Sequence, residues 1–297
     1  TGYQFVNYYR IDRNKEQQTY IQPKHELGES PYRFNWQTPI LLSSHNQDIL
    51  YLGGNKLHRS MNQGDDWTAI SPDLTQGGKE GNVAYGTLSS ISESPFQFGL
   101  IYTGSDDGLV QITKDSGASW NSIKGDWPAN LWVSRVVASQ HKKERVYVSL
   151  NGYRFDDFTT YVYKSDDYGQ TWKSIGEALP TAPANVIIEH PKKGNILFVG
   201  TDNASYISID TGASWDLLNN GMPPVAVHDI KIQPVANDLL IGTHGRSIYT
   251  ANLDALELLN DKGFAFAKID KTRVSSRYGS KGFMWSEEPE PKIKLSF

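Results

Sequence analysis

One eight-residue pattern, Ser/Thr-x-Asp/Asn-x-Gly-x-x-Trp, occurs four times along the chain and constrains its fold more than any other feature. We call each copy an octet and number the copies in chain order: Ser60–Trp67, Thr113–Trp120, Ser165–Trp172 and Ser208–Trp215. Their tryptophans lie 53, 52 and 43 residues apart. A repeat of this length is typical of propellers and solenoids.

Each octet has the composition of a turn between two strands. The Asp or Asn at its third position can accept hydrogen bonds from backbone N–H groups, and the glycine at its fifth position tolerates a positive φ. The final tryptophan can fill the space between neighbouring sheets. We therefore predict a structural role for Asn62, Asp115, Asp167, Asp210, Gly64, Gly117, Gly169, Gly212, Trp67, Trp120, Trp172 and Trp215.

Short alternating runs flank every octet and predict four strands in each repeat. Four antiparallel strands that recur about every 40–50 residues predict an all-β β-propeller with five near-complete blades. A helical solenoid would need a 3.6-residue period, which the chain lacks. An opening hairpin predicts the outer half of a further blade, so we expect six to seven blades in the intact ring.

The pattern divides the chain into three predicted segments. Residues 1–30 contain the outer hairpin and a connector, and residues 31–260 contain the propeller with its octets. Residues 261–297 are expected to lead into a following domain, with a strand at Lys292–Phe297.

Composition excludes several classes of function. The net charge of −4 argues against nucleic acid as a partner, and no apolar run approaches the roughly 20 residues of a membrane span. The chain has no cysteine, which excludes disulfides, thiolate metal sites and cysteine nucleophiles. No nucleotide loop, zinc motif or serine triad is present, so we predict no cofactor and no metal.

The octets resemble the Asp-box, or BNR, repeat of sialidases, sortilin (VPS10) propellers, two-propeller xyloglucanases and photosystem II assembly factors. Large bacterial sortilin-like repeat proteins are a closer resemblance, carried by Pro31–Ser43, Leu52–Leu57, Trp67–Leu74 and Gly242–Tyr249. Such proteins are typically secreted and have two propellers followed by a sandwich-like domain. The resemblance implies that this chain is the second propeller of a longer extracellular, cell-surface or periplasmic protein, with those neighbouring domains as partners. It implies little about activity.

We label the four strands of each predicted blade a to d in chain order. The octets join strands c and d, so they all lie on one face of the ring. The turns between strands b and c, and the connectors that enter strand a, meet on the opposite face, where we expect a ligand. Its predicted binding residues are Arg33, Trp36, Trp132, Arg135, Tyr153, Arg154, Asn203, His228, His244 and Arg246. Alternatively, Trp36, Trp132 and Arg246 only join neighbouring blades. The long turn at Asn151–Thr160 fits a functional and a structural role equally well.

Two hypotheses for function follow. The first is a non-catalytic binding or scaffold propeller that recognises a protein, peptide or polysaccharide. The alternative is a glycoside hydrolase of sialidase or xyloglucanase type, in which Asp106, Asp107 and Asp202 supply the two carboxylates. That alternative requires carboxylates that face each other across a cleft, one with a raised pKa. A third hypothesis is an assembly factor for an envelope complex.

Overall fold

The computed structural model describes residues 1–81, 83–218 and 221–257. The chain divides into two compact units, residues 1–231 with 241–249 and residues 232–240 with 250–297. The predicted exit segment at residues 261–297, with its strand at Lys292–Phe297, lies outside the described residues.

Short antiparallel strands make up almost all of the regular structure. An opening hairpin is formed by β1 (Tyr9–Asp12) and β2 (Gln17–Tyr20). Four four-stranded sheets follow, each with its strands in sequence order, and we number them blades 1 to 4 with strands a to d. The chain is therefore an all-β propeller of four-stranded blades, as the octet spacing predicts.

The strand bounds of blades 1 and 2 are β3 (Ile40–Leu42), β4 (Leu50–Gly53), β5 (Leu57–Ser60), β6 (Thr68–Ala69), β7 (Leu88–Glu93), β8 (Ile101–Ser105), β9 (Val110–Thr113) and β10 (Asn121–Ser122). Those of blades 3 and 4 are β11 (Trp132–Ala138), β12 (Val146–Asn151), β13 (Tyr161–Ser165), β14 (Lys173–Ser174), β15 (Ala184–Glu189), β16 (Leu197–Thr201), β17 (Ser205–Ser208) and β18 (Asp216–Leu217). A three-stranded sheet follows, with β19 (Val227–Gln233), β20 (Asp238–Thr243) and β21 (Ile248–Asn252), and then a one-turn helix at Asp254–Glu257.

Strand b of each blade is buried along nearly its whole length. A strand in the middle of a blade is covered on both faces by neighbouring blades, so it needs apolar side chains on both faces. The resulting core consists of clusters between consecutive blades, which we call the first, second and third joints. They lie between blades 1 and 2, blades 2 and 3, and blades 3 and 4.

The octets form tight turns that are held by their own side chains. In octet 3, the backbone N–H of Gly169 donates to the Ser165 hydroxyl at 2.8 Å, and that hydroxyl donates to Asp167 at 2.7 Å. Thr171 donates its N–H and its hydroxyl to the same carboxylate at 2.9 and 2.5 Å. Slight burial raises the pKa of Asp167, but the hydrogen bonds from Thr171 outweigh it and lower the pKa to about 2.

Octet 1 makes the same turn with donor and acceptor exchanged. Its third residue is Asn62, whose amide nitrogen donates to the carboxylate of Asp66 at 2.9 Å. In octets 2 to 4 the corresponding bond runs from a Ser or Thr hydroxyl to an aspartate. The backbone N–H of Asp66 still donates to the side-chain oxygen of Asn62 at 2.9 Å, so the turn is preserved.

The octet glycines touch the blade that precedes them. A Cβ on Gly212 would lie 2.9 Å from the side chain of Ile175, at the end of blade 3. Gly64 stands in the same relation to Ile21, where the distance would be 2.8 Å. Ile21, which follows the opening hairpin, therefore contacts octet 1 in the way that Ile175 contacts octet 4.

Two of the three joints contain a buried carboxylate that ties one blade to the next. In the first joint, Glu93 at the end of β7 accepts hydrogen bonds from the hydroxyls of Tyr51 and Ser43 at 2.8 and 2.6 Å. In the third joint, Glu189 at the end of β15 accepts them from Tyr147 and Ser139 at 3.0 and 2.8 Å. Each tie joins strand a of one blade to the blade before it.

The second joint is built differently. The last residue of β11 is Ala138, at the position that Glu93 and Glu189 occupy in their blades. The Tyr102 hydroxyl, which corresponds to those of Tyr51 and Tyr147, is buried and has no partner among the described residues. The backbone N–H groups of Val136 and Ala138 donate instead to the hydroxyls of Ser90 and Ser92 of blade 2, at 3.0 and 2.9 Å. Apolar packing and aromatic contacts add to these bonds, including Trp127 against Tyr163 with ring centroids 5.0 Å apart.

Candidate functional site

The turns between strands b and c lie beside the connectors that enter strand a of the same blade. The N–H of Asp106 donates to the carbonyl of Thr87 at 3.0 Å, and that of Asp202 donates to Pro183 at 3.1 Å. His244 makes the equivalent bond to the carbonyl of Ala226 at 2.9 Å. These bonds bring the polar turns and the connectors together on the face opposite the octets.

Asp106 is a buried carboxylate within a hydrogen-bonded network. It accepts bonds from the N–H and the hydroxyl of Thr87 at 2.9 and 2.7 Å, and from the amide of Asn35 at 2.8 Å. Burial raises the pKa of Asp106, and the neighbouring Asp107 raises it further, while the bonds from Thr87 lower it. The raised pKa belongs to a side chain that is only 4% exposed.

The other two proposed catalytic carboxylates also have partners. Asp107 is fully buried and accepts bonds from the Ser105 hydroxyl and from the N–H of Gln76, the latter at 2.6 Å. Asp202 accepts a bond from the Asn185 amide at 2.8 Å. All three carboxylates thus serve as acceptors that hold turns to connectors.

Arg33 and Trp36, two of the predicted binding residues, have partners near blade 1. The Arg33 guanidinium donates to Asp73 at 2.6 Å and to the carbonyl of Gly86 at 3.1 Å. Trp36 is exposed, and its ring contacts Phe5 at a centroid distance of 5.4 Å. The guanidinium is thus committed to protein contacts, whereas the indole remains accessible.

Three further predicted binding residues contact another side chain, and two are exposed at turns. Arg135 donates to Asp229 at 2.7 Å, and the rings of His228 and His244 lie 5.2 Å apart with both residues exposed. Asn203 and Arg246 are both exposed at turns between strands b and c. In the part of the chain that the structure describes, no three His, Cys, Asp or Glu residues are grouped as metal ligands.

The long turn of blade 3, residues 151–160, presents three aromatic side chains to solvent. Tyr153, Phe155 and Phe158 are 59%, 55% and 49% exposed. Arg154, between the first two, places its guanidinium 4.2 Å from the ring centroid of Trp132. We call these five residues the aromatic loop; it unites Trp132, Tyr153 and Arg154 from the predicted set.

Internal hydrogen bonds fix the conformation of the aromatic loop. A 3-10 turn at Tyr153–Phe155 is closed by a bond from the N–H of Phe155 to the carbonyl of Gly152 at 2.8 Å. Asp157 then accepts bonds from the N–H of Thr159 at 3.0 Å and from the Tyr161 hydroxyl at 2.8 Å. The backbone that carries the exposed rings therefore has a fixed conformation.

A cleft of about 500 Å³ adjoins this loop at the outer part of the second joint. Tyr161, Tyr163 and Trp172 supply aromatic surface, and Asp126 and Glu177 supply carboxylates. The two tyrosine rings are stacked, 6.5 Å apart at an interplanar angle of 10°. The cleft could not be found from the sequence, because its carboxylates come from the connectors after blades 2 and 3 and neither belongs to a motif.

Comparisons with known proteins support the propeller fold. No family model matches the chain. A xyloglucanase of Hypocrea jecorina is 22% identical over 87% of the chain and 30% of its own length, and a sortilin of Danio rerio is 27% identical over 74% and 31%. The chain thus spans about a third of each relative.

A solved structure of an ancestral GH74 enzyme aligns with a TM-score of 0.58 and 18% identity, over 77% of this chain and 32% of that one. At this identity the likeness shows the fold alone. Within the described ranges the chain forms no helix with the length and hydropathy of a membrane span.

Proposed function

We propose that this chain is a glycan-recognising propeller within a larger extracellular, cell-surface or periplasmic protein. The observation that carries the proposal is the aromatic loop of blade 3, which displays three solvent-exposed rings on a fixed backbone. Several exposed apolar side chains grouped on one short turn mark an interaction site more often than single exposed ones do. Preceding and following domains of the same polypeptide are its proposed partners.

The chemistry of the loop suits a polysaccharide. Aromatic faces stack on the apolar faces of sugar rings, and Arg154 adds hydrogen-bond donors beside them. A backbone fixed in advance lowers the ordering cost of binding. The similarity to a xyloglucanase supports a polysaccharide ligand, and the similarity to sortilin keeps a protein or peptide as the alternative outcome.

Binding of the 297-residue chain to a panel of soluble plant and bacterial polysaccharides, xyloglucan included, tests this proposal. Affinity electrophoresis should show retardation that Tyr153→Ala and Phe155→Ala each reduce at least tenfold, since each removes an exposed ring. The matched control is Phe96→Ala, because Phe96 is also 48% exposed but lies in the turn between strands a and b of blade 2. Equal effects of all three substitutions, or no retardation by any glycan, would refute it.

A glycoside hydrolase is the second candidate, favoured by the xyloglucanase similarity. The partners of Asp106 and Asp107 weigh against those residues as its acid and base. Asp202 is only partly buried, so it is the more accessible of the three. Release of reducing ends from xyloglucan that Asp202→Asn abolishes, with glycan binding intact, would establish this candidate; bound but uncleaved xyloglucan would reject it for this chain.

A further inference from the structure

The cleft at the second joint contains polar groups that the fold leaves without partners. Tyr163 is only 8% exposed, lines the cleft, and makes no hydrogen bond within residues 1–81, 83–218 and 221–257. The indole N–H of Trp172 also has no partner among those residues. The Trp172 nitrogen is enclosed by protein, whereas the Tyr163 oxygen is not among the enclosed unpaired atoms. The Tyr163 hydroxyl is therefore the group that a ligand in the cleft can bond.

Both carboxylates of the cleft raise the pKa of the same tyrosine, Tyr163. Burial raises the pKa of Tyr163, and the charges of Tyr161, Asp126 and Glu177 raise it further. Asp126, Glu177 and Tyr163 line the same cleft, so one ligand there can contact all three. Neither carboxylate forms an ion pair within the described part of the chain.

The lining of the cleft defines the ligand chemistry. No Lys, Arg or His is among its lining residues in the described chain, so the two carboxylates repel an anionic sugar or a phosphate. A purely apolar ligand would leave the carboxylates and hydroxyls unpaired. A neutral sugar offers hydroxyl donors for Asp126 and Glu177, and apolar ring faces for the tyrosines and Trp172.

We propose that this cleft binds one neutral sugar unit, with Asp126 and Glu177 as acceptors for its hydroxyls and Tyr163 as an additional hydrogen-bonding group. The cleft is a second site, distinct from the exposed rings of the aromatic loop. It takes its ligand class from the function proposed above and rests on that function. Because Asp157 accepts the Tyr161 hydroxyl at 2.8 Å, the loop and the cleft wall share one hydrogen-bonded support. Thr159 and Thr160 of the same turn also line the cleft, so a glycan chain lying on the loop can extend into it.

Titration calorimetry of the full chain tests the cleft directly, with cellobiose and xylobiose as neutral probes and glucuronic acid as the anionic one. The neutral probes should bind and glucuronic acid should not. Tyr163→Phe removes one hydrogen-bonding group and should weaken binding about fivefold, the equivalent of about 1 kcal/mol. Its matched control is Tyr206→Phe, at the same strand position in the third joint and likewise mostly buried.

Neutralising the two carboxylates distinguishes a neutral ligand from a cationic one. Glu177→Gln and Asp126→Asn keep the shape and can still bond hydroxyls, so they should weaken a neutral sugar only a few fold. If trimethyl-lysine peptide binds instead and these substitutions abolish its binding, the cleft is a cation site and the proposal is wrong. Equal losses from Tyr163→Phe and Tyr206→Phe, or preferential binding of glucuronic acid, would also overturn it.

The two proposals can fail separately. If retardation of the protein by a polysaccharide depends on Tyr153 and Phe155 but not on Tyr163, the glycan-binding function is supported and the cleft is not part of it. Absence of any glycan binding, in calorimetry and electrophoresis alike, would remove both. Circular dichroism should give the same unfolding midpoint for the Tyr163→Phe and wild-type chains. Weaker binding by a variant that is equally stable then reflects the loss of a ligand contact.

Discussion

The third joint and the second joint are made of the same elements but held together in different ways. In the third joint, Glu189 ties two blades through Tyr147, and the Trp215 indole donates to the carbonyl of Ile175 at 2.7 Å. In the second joint, Tyr102 and Trp172 occupy the corresponding positions and have no hydrogen-bond partner in the described ranges. Trp172 instead packs edge-on against Trp127, with ring centroids 5.2 Å apart.

The difference shows that a repeated motif need not make a repeated contact. The first joint follows the third, with Glu93 bonded to Tyr51 and the Trp120 indole donating to Ile70 at 2.9 Å. The second joint omits both bonds, and the cleft lies there. The same tyrosine and tryptophan positions are thus hydrogen-bonded in the first and third joints and unpaired, among the described residues, in the second.

Removing the buried carboxylate of the third joint should have the largest effect. Glu189→Ala leaves Tyr147, Ser139 and the N–H of Gln140 without an acceptor and should lower the free energy of unfolding by about 3 kcal/mol. Urea denaturation measures the loss. Glu177→Ala is the control, since Glu177 is exposed and forms no ion pair within the described residues. A loss below about 1 kcal/mol for Glu189→Ala would show that the tie is dispensable.

The tyrosines of the two joints should respond in opposite directions. Tyr147→Phe removes a bond to Glu189 and should cost about 1–2 kcal/mol of unfolding free energy. Tyr102→Phe removes a buried hydroxyl that has no described partner, so the stability should stay the same or rise by up to about 1 kcal/mol. Urea midpoints of the two variants distinguish the joints. Equal destabilisation would mean that the Tyr102 hydroxyl has an acceptor after all.

The tryptophans should differ by a smaller amount. Trp215→Phe and Trp172→Phe both lose ring area, but only the first breaks an indole bond and leaves the Ile175 carbonyl unpaired. We expect Trp215→Phe to be the more destabilising by about 1 kcal/mol in thermal or urea unfolding. The reverse order would indicate that packing of Trp172 on Trp127 outweighs the hydrogen bond.

Acid pH should weaken the octets gradually. The bonds from Ser119, Thr171 and Ser214 lower the pKa values of Asp115, Asp167 and Asp210 to about 2, below their ordinary value. Groups with a pKa lowered by folding contribute stability above about pH 4 and lose it as the pH falls to 2. The effect per octet should be small because these carboxylates are exposed. The urea midpoint should fall between pH 4 and 2, and Asp210→Asn should reduce that slope; an unchanged slope would contradict the assignment.

Much of the fold follows from local sequence. The octets set the blade boundaries because a turn of fixed chemistry separates strands c and d in every copy. The face opposite the octets also follows from strand order, and it holds the aromatic loop with the predicted Trp132, Tyr153 and Arg154. Such features are predictable because each depends on residues adjacent in the chain.

The joints and the cleft could not be predicted in this way. Glu189 and Tyr147 are 42 residues apart, and the local sequence around either residue does not predict a contact with the other. Asp126 and Glu177 likewise belong to the connectors of two different blades. The hydrogen-bond partners of Asp106 and Asp107 could not be predicted for the same reason. Thr87, Asn35 and Gln76 lie outside the turn that contains the two carboxylates.

The exchanged pair in octet 1 restricts how that turn can evolve. Converting Asn62 to Asp alone would set a second carboxylate against Asp66, at a place where an amide now donates. Converting Asp66 to Ser alone would replace the carboxylate that the amide bonds with a hydroxyl. A serine hydroxyl can still bond the Asn62 side chain, so we expect Asp66→Ser to be tolerated and Asn62→Asp alone to weaken the turn. The order in which the two positions change therefore matters, although all four octets make the same turn.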